Sequence, residues 1–388
     1  MRRSLRLVAL VIPMVLVASN SYAAVKAGSV CSKVGTKSIA GGKTYTCVKS
    51  GKKLVWDKGV KAPTSFQNLY QNRVGIAYSA WLKTAEVMNK STARIPETNM
   101  YVGPNTKPWY SESEKTFGLV SKAFPNAKLP VKAIAIFYNY GDIAWAEGKL
   151  KTLISAQTYS DLDQNEGGHL VDSNCRSQTK DCIGAKEVTT YDGTDTAILL
   201  VGVSNSPGMV KTGGMPYGDP GTYENNTTGQ LLAHEYFHAL QREEQIGKNL
   251  QRNDWPPRWV TEGSAYFFQN AIINSGDFKK FSHWREIAVG DYIKSHGMTA
   301  EFISNFMDLK HYSDNWDSFS GDWNYFLGAR IVETLVALNG PESVLSFYKL
   351  MGEANGFEYS FKMAFGADYQ EAMPIIAKTV AENWKSKL

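Results

Sequence analysis

An α+β fold is predicted for this chain, and three features of its 388 residues predict it. Apolar runs of strand and helix length alternate up to about residue 203. A helix-like segment carrying two histidines follows, and every periodic run after it reads as helix. A short Lys-rich segment with two cysteines stands ahead of everything else, built like a small disulfide-bonded β-hairpin module.

The chain opens on a targeting segment. Arg2, Arg3 and Arg6 precede an apolar run from Leu7 to Ala18, and Ser21-Tyr22-Ala23 offers a small-x-small cleavage site. Residues 1–23 therefore read as a secretory signal peptide, with a retained N-terminal anchor as the other reading. No other stretch approaches the ~20 apolar residues of a membrane helix, so the mature chain is expected to have no transmembrane span. Export places the four cysteines in an oxidising compartment. Of the three connectivities, Cys31–Cys47 with Cys175–Cys182 closes the shortest loops, and neither pair has the C-x-x-C spacing of a zinc knuckle.

Residues 24–61 form the Lys-rich Cys-pair module. Lys43 to Val48, turning through Gly51 into Leu54-Val55-Trp56, reads as its hairpin. So short a segment buries little core, so the disulfide and Trp56 must hold it. The net charge is +5, with +3 in the signal peptide and +8 in this module, which leaves −6 for residues 62–388. A basic patch on an exported chain points to an anionic cell-wall polymer or to headgroups; the competing reading is a merely solvated module. Nucleic acid fits poorly with export and an acidic main domain.

Residues 62–388 are long enough for one large or two adjoining cores. Helical spacing predicts a helix over Phe66–Met88, then a strand at Asn99–Val102 and a helix around Ser111–Phe124. Val131–Tyr138 is a strand and Gly141–Leu153 a helix. Residues 156–190 read as polar and irregular, and Thr196–Val203 as a buried strand. Gly and Pro crowd a loop over residues 207–221. The later helices fall at Ala265–Asn274, Phe302–Leu309, Tyr325–Leu338, Ser343–Met351 and Tyr369–Lys385.

The chemistry concentrates at His234-Glu235-Tyr236-Phe237-His238. Two His four apart on a helix share a face and can reach one zinc ion, while Glu235 lies where it can take a proton from an activated water. Thr227 and Gln230 read as a capping box for that helix. The bland alternative is a core helix whose His merely satisfy hydrogen bonds. Catalytic zinc needs a third protein ligand and a position left for water. Pro256-Pro257 lets a new helix start near Arg258, and packed against the first it would bring Glu262 to the metal. The alternative there is an ordinary solvated carboxylate. His169, His283 and His296 have no such pattern and read as surface residues.

H-E-x-x-H followed by W-x-x-E-G-x-A resembles the gluzincin metallopeptidases, the superfamily of thermolysin and aminopeptidase N, in its peptidase-MA-like branch. The likeness is strongest over residues 228–270. It implies a zincin catalytic domain over residues 62–388, with a mixed-sheet upper lobe and a helical lower lobe. It further implies one zinc ion on His234, His238 and Glu262, Glu235 as general base, and a peptide or protein substrate laid along an edge strand. Thr196–Val203 or residues 213–217 would be that strand. Trp323-Asn324-Tyr325-Phe326-Leu327-Gly328 resembles the Y-x-x-G segment that opens a helix in the aminopeptidase N branch, which gives Tyr325 the role of oxyanion donor. His311 is the thermolysin-like alternative. Two departures stand out. Tyr266 occupies the place where many relatives carry an Asp that orients a ligand His, and Gly213-Gly214-Met215-Pro216 lacks the Glu that grips a substrate amino terminus. The resulting expectation is a secreted or envelope-associated zinc metallopeptidase, endopeptidase rather than aminopeptidase. The rival is a catalytically silent cell-surface binding or scaffold protein on the same fold.

Overall fold

The computed structural model describes residues 25–40, 43–189, 195–204, 225–245, 255–287, 298–311 and 321–385. Residues 1–23, expected to be a signal peptide, the expected loop at 207–221, the segment 213–217 and His296 lie outside them. The chain divides into two compact units, Met1–Lys61 and Ala62–Leu388. The fold is α+β, with a mixed sheet in the larger unit and both expected disulfides formed, Cys31–Cys47 and Cys175–Cys182. Among the described residues no helix is long and apolar enough to cross a membrane.

The small unit is a four-stranded antiparallel sheet. Its strands are β1 (Lys37–Ala40), β2 (Lys43–Ser50), β3 (Lys53–Trp56) and β4 (Val60–Lys61), with β2 paired to all three others. β2 and β3 are joined by Gly51-Lys52, and Gly51 takes the positive φ of +59° that so tight a hairpin demands. Cys47 lies opposite Trp56, and among the described residues they form the core of the unit with Cys31, Tyr45, Leu54 and Val25.

In the larger unit the helix expected over Phe66–Met88 is broken. It comprises α1 (Phe66–Leu69), a 3-10 turn at Arg73–Gly75 and α2 (Ile76–Lys90). Val74, in the 3-10 turn, is 51% exposed, so the break turns it away from the core. Then come β5 (Glu97–Val102), α3 (Ser113–Ala123), β6 (Lys132–Tyr138) and α4 (Ile143–Lys151), close to the predicted positions. The stretch 156–190 is not irregular. It holds α5 (Ala156–Asn165), the disulfide-closed hairpin of β7 (Cys175–Arg176) and β8 (Asp181–Cys182), and β9 (Gly184–Thr189). α5 buries no residue fully and packs only the half-buried Tyr159 and Leu162 on the smaller core, a stripe too narrow to betray it; Ser155 caps it by accepting the Thr158 N–H at 3.0 Å. β10 (Thr196–Gly202) follows.

The sheet order is β5-β6-β10-β9, parallel except for the antiparallel β10–β9 pair. β10 is thus an inner strand, and among the described residues the edges are β5 and β9. Alternate residues of β6 and β10 feed two cores. Ala133, Ala135, Phe137, Leu199 and Val201 face the main core, whereas Ile134, Ile136, Tyr138, Ile198 and Leu200 pack with Leu150, Leu170 and Val171. Burial on both faces explains the unbroken apolar runs.

Every element described after β10 is helical: α6 (Gln230–Glu243), α7 (Arg258–Ile273), α8 (Phe278–Ile287), α9 (Ala300–Met307), α10 (Gly321–Asn339), α11 (Glu342–Gly352), α12 (Phe357–Phe365) and α13 (Tyr369–Lys385). α8 and α12 were not anticipated. α10 begins at Gly321, so Tyr325 lies a turn inside the helix rather than at its start.

Candidate metal centre and cleft

α6 starts by a different device from the expected capping box. Its N-cap is Gly229 with φ +85°, and no side chain caps it. A Cβ there would stand 2.7 Å from Thr116 Oγ1 and from the Tyr110 ring, so glycine is required by both backbone and space. Gln230 is buried and instead takes a long 3.5 Å contact from the Gln269 amide nitrogen. Phe237 packs on Phe124 and Phe268, and Tyr236 on Phe117, which fixes the rotation of the helix and turns His234 and His238 together towards α7.

α7 begins after Pro257, whose carbonyl accepts the Val260 and Thr261 N–H groups. The helix runs beside α6 and brings Glu262 to the two histidines. His234 Nε2 and His238 Nε2 are 3.1 Å apart, and Glu262 Oε2 lies 3.5 and 3.4 Å from them. These three side chains could hold one metal ion.

The far side of each ring is occupied. His234 Nδ1 meets Gln269 Oε1 at 2.7 Å, and His238 Nδ1 meets Gln241 Oε1 at 2.7 Å. Each amide is held the right way round. Gln241 donates its nitrogen to the Thr261 carbonyl and to Ser264 Oγ, and Gln269 donates to Asn225 Oδ1. An amide oxygen accepts only, so both Nδ1 atoms carry protons and both Nε2 lone pairs face the shared point. Two lone pairs 3.1 Å apart beside a carboxylate need a cation between them.

In the metal-free protein a proton supplies that charge. Burial opposes the imidazolium of His238, but the Glu262 carboxylate outweighs it, aided by Glu235 and Gln241, and lifts the group to about 9. Burial likewise works against the Glu262 carboxylate, yet the two imidazoles hold it well below the ordinary carboxylate range.

No family model, curated protein or solved structure matches this chain.

The remaining cleft residues come from four directions. Glu235 Oε2 accepts the Glu187 N–H of β9 at 3.0 Å, which ties the carboxylate to the sheet edge. Arg258 reaches Glu262 Oε1 at 3.3 Å, so one oxygen is held by the guanidinium while the other faces the histidines. Tyr325 stacks on His234 with ring centroids 5.9 Å apart. Burial, and then the Glu262 carboxylate, raise its phenol far above the ordinary range, so it is a donor at any physiological pH. α10 gets this close because Gly263 and Gly328 meet backbone to backbone. A Cβ on Gly263 would lie 2.3 Å from the Gly328 carbonyl carbon, and one on Gly328 would lie 2.4 Å from the Trp259 oxygen. The whole opens into a cleft of about 770 Å³ between β9, α5, α6, α7, Tyr325 and Tyr348.

His234, His238, Glu262, Glu235 and Tyr325 are therefore brought together. Tyr266 packs edge-on to the His234 ring at 6.4 Å, and Gln269, two helical turns beyond Glu262, does the orienting. His169 and His283 are exposed as expected, His169 beside Asp172. His311 ends a 3-10 turn at Leu309–His311. Neither glutamine was foreseen, although their spacing was available: Gln241 is three residues past His238 and Gln269 seven past Glu262, both on the ligand-bearing faces.

Proposed function

We propose that this chain is an exported zinc-dependent peptidase whose catalytic unit is residues 62–388, of gluzincin type. The observation that carries the reading is the ligand triangle with edges of 3.1, 3.4 and 3.5 Å. Tetrahedral zinc with bonds of ~2.0–2.2 Å separates its ligand atoms by about 3.3–3.6 Å, which the two Glu262 edges match and the 3.1 Å His–His edge approaches. Two neutral imidazoles with outward Nδ1–H groups and one carboxylate are the donor set of a catalytic rather than a structural site.

Zinc held there would supply Lewis acidity, lowering the pKa of a bound water and polarising a carbonyl. The protein's own groups account for the rest. Glu235, anchored at the sheet edge, takes one proton as the water oxygen bonds to the carbonyl carbon, and returns it to the amide nitrogen as the C–N bond breaks. Tyr325, always protonated, donates to the carbonyl oxygen as it gains negative charge. The Glu187 N–H points away from β10 towards Glu235, so alternate residues of β9, Ala185 among them, turn backbone groups towards the cleft. An extended peptide would add there as a further strand, which suits internal cleavage of peptide or protein substrates.

The test combines metal analysis with an unbiased peptide-library digest. Purified protein should carry about one zinc per chain. Glu235→Gln should keep the zinc and lose hydrolysis, whereas His234→Ala should lose both. Full hydrolysis by Glu235→Gln would overturn the mechanism, and a zinc-loaded wild type that cleaves nothing would favour the silent scaffold.

A further inference from the structure

The N-terminal unit has two faces of different character. One holds its core around Cys47 and Trp56. On the other, Val48 lies opposite Val55, and Val55 bridges to Val30, so three valines form a row across the sheet. Val30 is 72% and Val48 36% exposed, and neither belongs to the small core around Cys47 and Trp56. Period-two alternation puts Lys53 on this face, two residues from Val55. Lys37 joins it because it pairs with Thr46, two residues from Val48. Exposed Lys49 and Lys52 flank the same hairpin end. The unit has nine lysines against one acid, Asp57, and an Asp57 oxygen is already occupied by the Thr46 and Gly59 N–H groups. One carboxylate cannot offset nine lysines, so residues 24–61 keep a net charge of +8.

We propose that this face docks on a bilayer carrying anionic headgroups, with the lysines on the phosphates and the valine row in the interfacial layer. Charge complementarity selects an anionic partner. The valines select a bilayer over a hydrophilic wall polymer, because a polyanion offers nothing to exposed aliphatic groups while the headgroup–acyl boundary removes them from water. The inference is independent of the peptidase reading, since every group it uses lies in residues 25–61.

Sedimentation of the purified full chain with vesicles tests it. Binding should occur with phosphatidylcholine–phosphatidylglycerol vesicles and not with phosphatidylcholine alone, and should weaken as salt rises. The triple substitution Lys49→Gln, Lys52→Gln, Lys53→Gln should weaken it by about 100-fold, at roughly fivefold per lysine. Val30→Ser with Val48→Ser should weaken it by roughly tenfold without changing the salt dependence. An intact Cys31–Cys47 bond and unchanged circular dichroism certify that each variant is folded. If the double valine variant misfolds, Val30→Ser alone, at the most exposed position, still reads the apolar contribution. Equal binding to both vesicle types, or to neither, overturns the proposal. So does tight binding to soluble polyglycerol phosphate with no loss in the valine variant, which would assign the face to a wall polymer.

Discussion

The two units use charge in opposite ways. In the small one, lysines stand at the surface while the single carboxylate serves backbone N–H groups. Around the cleft of the larger one, Lys186 pairs with Glu166, Arg242 with Glu187 and Arg258 with Glu262. A charge meant for a partner must stay hydrated until that partner arrives; a charge that shapes a site must be paired, because burial penalises it otherwise. The stabilising forces divide in the same way. The small unit rests on one disulfide and a few apolar side chains, whereas the larger is held by a continuous core in which α7, α10 and the sheet share contacts.

Changes that injure one unit and spare the other sharpen that contrast. The largest effect is expected for Gly263→Ala, because its Cβ would meet backbone that cannot give way; the larger unit should lose roughly 3 kcal/mol. Calorimetry should show its transition falling while the small unit melts as before. Cys31→Ser removes the constraint across 16 residues and should destabilise the small unit by about 2–4 kcal/mol, with metal content and turnover unchanged. Coupled loss of both transitions in either variant would break the division into independent units. Tyr325→Phe should leave folding and zinc content intact and lower kcat by roughly 10²-fold, with KM little altered; a rate within about twofold of wild type removes the tyrosine from the chemistry. Gln269→Leu and Gln241→Leu should each weaken metal binding by ~10–100-fold in chelator competition.

The gentlest effect at any single pH concerns the metal-free protein. Raised to about 9 from its ordinary 6.5, His238 contributes stability that is complete below 6.5 and fades as pH rises through about 9. Glu262 is depressed, so its contribution is complete above 4.5 and fades as pH falls through its lowered value. Chelator-treated protein should therefore gain most from this pair between 4.5 and 6.5. Thermal melts across pH, compared with His238→Asn, read that window directly. The stabilisation by added zinc should grow over the alkaline limb, as the proton it displaces becomes easier to remove.

Much of this was legible in the sequence because it depends on short-range spacing. His234 and His238 share a face by helical geometry, and β6 and β10 announce themselves through unbroken apolar runs. What escaped depends on partners remote in the chain. β9 reads as loop because its Lys186 and Glu187 look solvated, yet Glu187 is buried against Arg242. α5 offers only Tyr159 and Leu162 as an apolar face, too few to recognise. The capping box at Thr227 was the local solution, but the close approach of Thr116 and Tyr110 at Gly229 decided the helix start instead. The Tyr at 266 left the partner of the His234 ring unnamed, and finding Gln269 required knowing which side of α7 His234 meets.

The meeting of Gly263 and Gly328 bears on how kin of this chain can be recognised. Each glycine follows a residue of the cleft, Glu262 directly and Tyr325 by three positions, and neither tolerates a Cβ while the other helix is in place. The pair is thus a two-part signature, silent to any search that reads one window at a time. A pattern that joins E-G and Y-x-x-G to H-E-x-x-H, with the intervening length free, carries more information than H-E-x-x-H alone.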